Sequence, residues 1–216
     1  MLPRAFISHR ENITAFTTAP DGPLTGGPDN DNTSFLANPG GVNLIAAYIY
    51  AAYRTDATLN LQIRPWFRHP SGLYISRGDL KVFDVPNVTP ALDDAGTNMT
   101  ATSTTLADTS DGGVILTSKS NNGIADYYIA DDDQGIGWIG AGGADTTANV
   151  YTAPRLGTAG WAVGGTPTDA GAYEIRKAVP FSIIVETLGQ DVIFVVEDIG
   201  GTEGAATVSI YCAWLP

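Results

Sequence analysis

Lysine and glutamate are scarce in this chain: three Lys and five Glu stand among 216 residues, against 25 Gly and 13 Pro. Solvent-facing helical surfaces are built largely from those two residues, so helices are expected to be few and short. A single cysteine, Cys212, excludes an intrachain disulfide, and its place in the alternating run "TVSIYCAWLP" makes it a small core residue. Histidine is almost as rare. His9, His69 and Cys212 show none of the spacings of a zinc site, and without a G-x-S-x-G elbow a His-dependent hydrolase is disfavoured.

Basic charge is also short. A net charge of −12 and a pI near 4.3 disfavour a grip on nucleic-acid backbones, which takes clustered Lys and Arg. No apolar run of about 18 residues offers a membrane span. The start "MLPRAFISHRENITAF" has no apolar signal-peptide core, so the expectation is a soluble protein made in a cytoplasm, with no membrane partner.

What is present reads as strands. In "PFSIIVETLGQDVIFVVEDIGGTEGAATVSIYCAWLP" three apolar, β-branched runs are separated by "LGQD" and "DIGGTEGA", which predicts a three-stranded antiparallel meander. Phe181, Ile183, Val185 and Val192, Phe194, Val196 form one period-2 face. Ile184, Ile193 and Val195 make the other face apolar too, so these strands are expected at the centre of the structure. "GGVNLIAAYIYAAYR" followed by "LNLQIRPWFR" predicts a long β-hairpin, and "LYIS" and "LKVFDV" continue it as short strands. Pro65 implies an edge position or a bulge. The expected fold is all-β: one domain over residues 1–216, an antiparallel β-sandwich of jelly-roll type with long irregular loops and arms.

Three segments are expected to be irregular. Residues 1–41 read as an N-terminal arm, of which 17–41 is rich in Pro and Gly. Residues 86–123 change composition, and "TNMTATSTTLADTS" is mostly Ser and Thr, which predicts a surface excursion or a segment that orders against a partner. Charge is uneven as well, with ten Asp against Lys119 alone over residues 82–154. Such a segment could attract the Arg-rich stretch 54–81 of the same chain, or a neighbouring copy.

The stretch "YYIADDDQGIGWIGAGGAD" carries two possible chemistries. Gly135, Gly137 and Gly140 have G-x-G-x-x-G spacing, but aspartates precede them and no helix-forming segment follows, so a dinucleotide loop lacks its context. Asp131, Asp132 and Asp133, with Asp126 or Asp145, could hold calcium without an EF-hand pattern, although a solvated acidic turn is the commoner arrangement. Glu174, Glu186 and Glu197 are strand-borne carboxylates of the kind a glycosidase pairs. Trp66, Trp138, Trp161 and Trp214 could stack on sugars, with Trp214 reading as core. Arg77-Gly78-Asp79 reads as a turn, and the N-x-Ser/Thr triplets at Asn12, Asn32, Asn87 and Asn98 receive no function. No catalytic, cofactor-binding or metal-binding residue is assigned.

The runs "FSIIVETLGQDVIFVVED" and "ATVSIYCAWLP", and the stretch "AAYIYAAYRTDATLNLQIRPWF", are similar to strand pairs in jelly-roll virion proteins. With its acidic, Thr-, Gly-, Ala- and Asp-rich composition, the chain resembles a structural protein of a tailed bacteriophage particle. The resemblance implies a non-enzymatic capsid decoration or cement protein without a cofactor. It would be a homotrimeric jelly roll docked between major capsid protein subunits, made in the host bacterial cytoplasm and resident in the virion. The alternatives are a carbohydrate-binding β-sandwich module, a tail or fibre component, and a carboxylate-pair hydrolase.

Overall fold

The structure is a computed structural model, and it describes residues 7–13, 17–18, 36–40, 42–53, 61–68, 74–75, 83–84, 92–96, 99–108, 120–121, 124–131, 135–144, 147–155, 157–167, 172–178, 180–198 and 206–215. Among the described residues there is no helix, in line with the scarcity of Lys and Glu. The chain opens with β1 (Ile7–Ile13), β2 (Thr17–Thr18), β3 (Leu44–Tyr53), β4 (Leu61–Arg68), β5 (Tyr74–Ile75) and β6 (Phe83–Asp84). There follow β7 (Leu92–Gly96), β8 (Met99–Ala101), β9 (Thr105–Asp108), β10 (Ser120–Asn121), β11 (Ile124–Ala125), β12 (Tyr127–Asp131), β13 (Ile136–Ala144), β14 (Thr147–Tyr151) and β15 (Tyr173–Lys177). It closes with β16 (Phe181–Glu186), β17 (Val192–Asp198) and β18 (Ala206–Leu215).

The first sheet has the order β1-β18-β3-β16 and the second the order β2-β17-β4-β5, with β6 also on β4. Every expected strand of these blocks is present, but two expected pairings are not. β3 and β4 form no hairpin, because β3 pairs with β16 and β18 while β4 pairs with β17. Nor do β16, β17 and β18 form a meander: β16 and β18 flank β3 in the first sheet, and β17 lies in the second.

The apolar alternation explains the exchange. Ile45, Ala47 and Ile49 of β3 and Ile63 and Phe67 of β4 are fully buried in one core, with Val192, Phe194, Val208, Ile210 and Cys212. A strand whose apolar row must face another row across a core does better on the opposite sheet than beside it. The turn between β16 and β17 makes this crossing with Leu188 at φ 49° and Gly189 at φ 75°, closed by Gln190 N–H donating to Thr187 O at 3.0 Å. Burying each of these Ile, Val or Phe side chains contributes about 1.5–3 kcal/mol.

Pro65 is neither at a sheet edge nor in a bulge. It faces Phe194 in a regular ladder with β17, and on the other side of β4 the partner changes from β6 at Gln62 and Ile63 to β5 at Phe67 and Arg68. The change of partner falls where proline has no N–H to donate.

The N-terminal segment is not wholly an arm. β1 pairs with β18 from Ile7↔Cys212 to Ile13↔Val208, and Ile13 is buried in the core. Part of the 17–41 segment is also tied down. Leu36 exchanges backbone hydrogen bonds with Val192, Asn38 N–H donates to Asp191 Oδ1 at 2.9 Å, and Asn38 Nδ2 donates to Val42 O at 2.8 Å. Asn38 thereby clasps the strand approaching β3 to the β16–β17 turn.

A third sheet, ordered β7-β15-β12-β13-β14-β9-β8, is built from the chain between β6 and β16. The segment 86–123, expected to be irregular, contributes three of its strands: β8 and β9 from the Thr-rich stretch, pairing from Met99↔Asp108 to Ala101↔Leu106, and β7 just before it, lying against β15. β-branched threonines suit a pleated surface as well as a loop, which is why composition misleads here. One face of this sheet buries Ile129, Ile139, Val150, Tyr173 and Ile175 with Trp161. The other face packs Tyr128, Ala130, Ile136 and Trp138 against Tyr50 and Ala52 of β3.

Covered from both sides, β18 is buried over nine of its ten positions. Its alternate residues Thr207, Ser209 and Tyr211 are buried on the face turned away from the main core, and Tyr211 there accepts from Arg155 N–H. β16 differs: Ile184, expected in the interior, is 61% exposed, because it lies on the face opposite the core residues Ile183 and Val185, and that face is not covered there.

Candidate functional site

The glycine-rich stretch is a hairpin. β12 and β13 pair through Ala130↔Ile136, Ile129↔Gly137 and Tyr128↔Trp138, so Gly137 and Gly140 lie within a strand rather than in a phosphate loop. Asp131 ends β12 opposite Tyr173, whereas Asp132, Asp133 and Asp145 lie outside the described residues. Among the described residues no three His, Cys, Asp or Glu side chains cluster. Arg77, Gly78, Asp79 and His69 also lie outside them, as do Asn32, Asn87 and Asn98.

Gly137 is required by close approach. A Cβ there would collide with Val150 Cγ1 and stand 3.2 Å from the Trp161 ring. Gly137→Ala is expected to cost about 1–3 kcal/mol, read as a lower urea midpoint at unchanged slope. Val150→Ala in the same chain recovers part of that loss by making room.

The three candidate carboxylates stand on three sheets. Glu174 on β15 is bound by Arg176, whose Nη2 is 2.8 Å from Oε2. Glu186 is exposed at the end of β16. Glu197 on β17 is fully buried, and Arg64 Nε on β4 reaches Oε1 at 2.8 Å and Oε2 at 3.0 Å. Arg64 stands opposite Val195, one diagonal step from Glu197. The alternation of "LNLQIRPWFR" places Arg64 and Trp66 on one face, but which strand supplied an acid to that face was not legible until β4 and β17 were seen to pair. Two of the three acids are thus engaged by arginines rather than by each other.

All four tryptophans are buried, so none offers a ring to a sugar. Trp66 is 1% exposed against Ile193 and Val195 on the outer face of the second sheet. Trp214 lies in the main core, as its strand pattern implied. Trp161 donates Nε1–H to Thr102 O at 2.9 Å, anchoring the loop after β14 to the turn between β8 and β9.

Trp138 sits where the third sheet meets the first, edge-on to Tyr128 with centroids 5.8 Å apart and to Tyr50 at 6.4 Å. Tyr50 in turn meets Tyr211 at 5.7 Å. Tyr128 OH donates to Tyr53 O at 3.2 Å, and Arg155 N–H donates to Tyr211 OH at 3.0 Å. Burial raises the Tyr128 and Tyr211 hydroxyls above the usual phenol range, so both stay neutral donors and acceptors at any ordinary pH. Burial likewise pushes the Cys212 thiol up to about 12, which leaves it without thiolate character.

The described surface has one conspicuous apolar feature. Ile184 is accompanied by Leu188 at 51% and Leu44 at 38% exposure, all at the β16 side of the first sheet. This surface can form a strand ladder and apolar contacts, and it holds no acid–base pair. Compared with protein-family models, with curated proteins and with solved structures, the chain matches none of them.

Proposed function

We propose that the protein is a non-enzymatic structural protein of a bacteriophage virion, a decoration or cement protein that docks between major capsid protein subunits as a homo-oligomer. The observation that carries this reading is the strand order β1-β18-β3-β16 facing β2-β17-β4-β5. Strands from the two ends of the chain alternate through the first sheet, and in the second the C-terminal β17 lies between β2 and β4; interlocked Greek keys produce such an order, and this supports a jelly roll. Jelly rolls also carry lectins and enzymes, so the side chains must choose among these roles.

They favour the structural role. The tryptophans that a carbohydrate module would present are buried, and Glu174 and Glu197 are each held by an arginine. A third sheet fastened onto the first through Trp138, Tyr128, Tyr50 and Tyr211 makes a stiff body, and stiffness is what bracing a shell requires. The acidic charge discourages misdirected binding to packaged DNA. The expected location is the virion, after synthesis in the host cytoplasm.

Mass spectrometry of purified particles from the producing host is expected to find this chain in stoichiometric amount. Recombinant protein is expected to co-sediment with heads stripped of it. Particles that lack the chain, together with no co-sedimentation, would overturn the proposal.

A further inference from the structure

We propose that the open edge of β16 pairs with the same edge of a second copy of this chain, antiparallel about a two-fold axis at Ile184. The direction of the backbone groups follows from one bond. Thr187 N–H donates to Asn43 O at 2.7 Å in the ladder that runs from Phe181↔Ile49 to Glu186↔Leu44. Residues bonded to β3 alternate from there, so Phe181, Ile183 and Val185 point their N–H and C=O groups at β3. Ser182, Ile184 and Glu186 point theirs outward, and among the described residues nothing bonds to them on that side.

Every other sheet edge among the described residues is blunted. β1 carries two register shifts and the run His9, Arg10, Glu11. β2, β5, β6, β10 and β11 are two residues long and β8 is three. β7 bears Asp93 and Asp94 and has a register shift against β15. These are the ordinary protections of an edge. β16 has none: its ladder with β3 is unbroken, it contains no proline, and its one charge is at its end. An edge left in that state is a template for another strand.

The occupant is specified by self-complementarity. With Ile184 opposite Ile184 of the second copy, Ser182 falls opposite Glu186, and each outward residue exchanges both its N–H and its C=O. Any other antiparallel register leaves outward groups of this strand unpaired. The buried row Ile183 and Val185 continues into Val185 and Ile183 of the second copy, extending the core across the axis. The exposed Leu188 comes beside the exposed Pro180 of the second copy.

Charge permits this contact on a chain of net −12. Each Glu186 meets a serine, and the two Glu186 stand about 13 Å apart along the ladder, beyond the screening length at physiological salt. A two-fold pairing closes on itself, so it yields a dimer in place of the trimer that the resemblance to capsid decoration proteins implies. It rests on the fold alone and stands or falls separately from the virion reading.

Sedimentation velocity of the full chain over a concentration series tests the pairing. The wild type is expected to show a monomer–dimer equilibrium. Ile184→Lys and Ile184→Glu each raise the dissociation constant at least tenfold, and an equimolar mixture of the two restores dimer, because only at a two-fold axis does position 184 face itself. Ser182→Pro, which removes an outward N–H and leaves the β3 ladder intact, weakens the dimer as well. Both positions are exposed, so near-UV circular dichroism is expected to match the wild type. A wild type that is monomeric at its highest soluble concentration, or trimeric, overturns the proposal, as does a mixture of the two charged variants that stays monomeric.

Discussion

Arg64→Met is expected to destabilise the protein by about 3–5 kcal/mol, because it strands the fully buried Glu197 carboxylate without its cation. The Arg64 side chain is 22% exposed and keeps part of its hydration, whereas Glu197 is at 0% and has given up all of its own. Loss of the pair therefore costs more than the pair contributes over an apolar substitute. Arg64→Met combined with Glu197→Leu is expected to recover most of the loss, since Trp66, Ile193 and Val195 already make that face of the second sheet apolar. Urea denaturation of the two single variants and the double variant measures the coupling. A double variant as unstable as Arg64→Met would show that the pair does not act as a unit.

Trp138→Ala is expected to cost a similar amount, about 3–5 kcal/mol, by opening a cavity between the first and third sheets. The indole is fully buried, and its edge contacts with Tyr128 and Tyr50 add to the area it buries. Trp138→Phe is expected to cost under about 1.5 kcal/mol. The indole Nε1–H has no hydrogen-bond partner among the described residues, so phenylalanine surrenders volume and relieves an unpaired donor at once. Thermal or urea unfolding of the two variants separates these terms. If Trp138→Phe proves as damaging as Trp138→Ala, then the volume argument fails and the Nε1–H must matter.

Much of the secondary structure was legible, and the pairing was not. The period-2 runs of β3, β4, β16, β17 and β18 announce themselves through Ile, Val and Phe, and each is a strand in the structure. The turn "LGQD" looks the same from sequence whether it returns a strand to its neighbour or carries it across a core. In this protein it crosses, and so does the link between β3 and β4. The Thr-rich segment failed differently: threonine serves loops and pleated edges alike, and only the ladder β14-β9-β8 shows which role it took.

At the candidate site, Cys212 and Trp214 were readable as core because both sit in an unbroken strand pattern. Glu197, Trp66 and Ile184 were not. An acid, an indole and an isoleucine each carry a default, and in these three positions the layer above or beside the strand reverses it.

The sequence alone determined the class: too little Lys and Glu for helices, no disulfide, and strands whose alternation demanded a core between two layers. Which strands are neighbours, which face is covered twice and which edge is left open were decided by tertiary structure. The physical reason is that alternation specifies a face for each side chain but no partner for the strand. The partner is chosen by long-range packing, which here interleaved the two ends of the chain, set a third sheet over one half of β3 and left β16 with outward N–H and C=O groups to share.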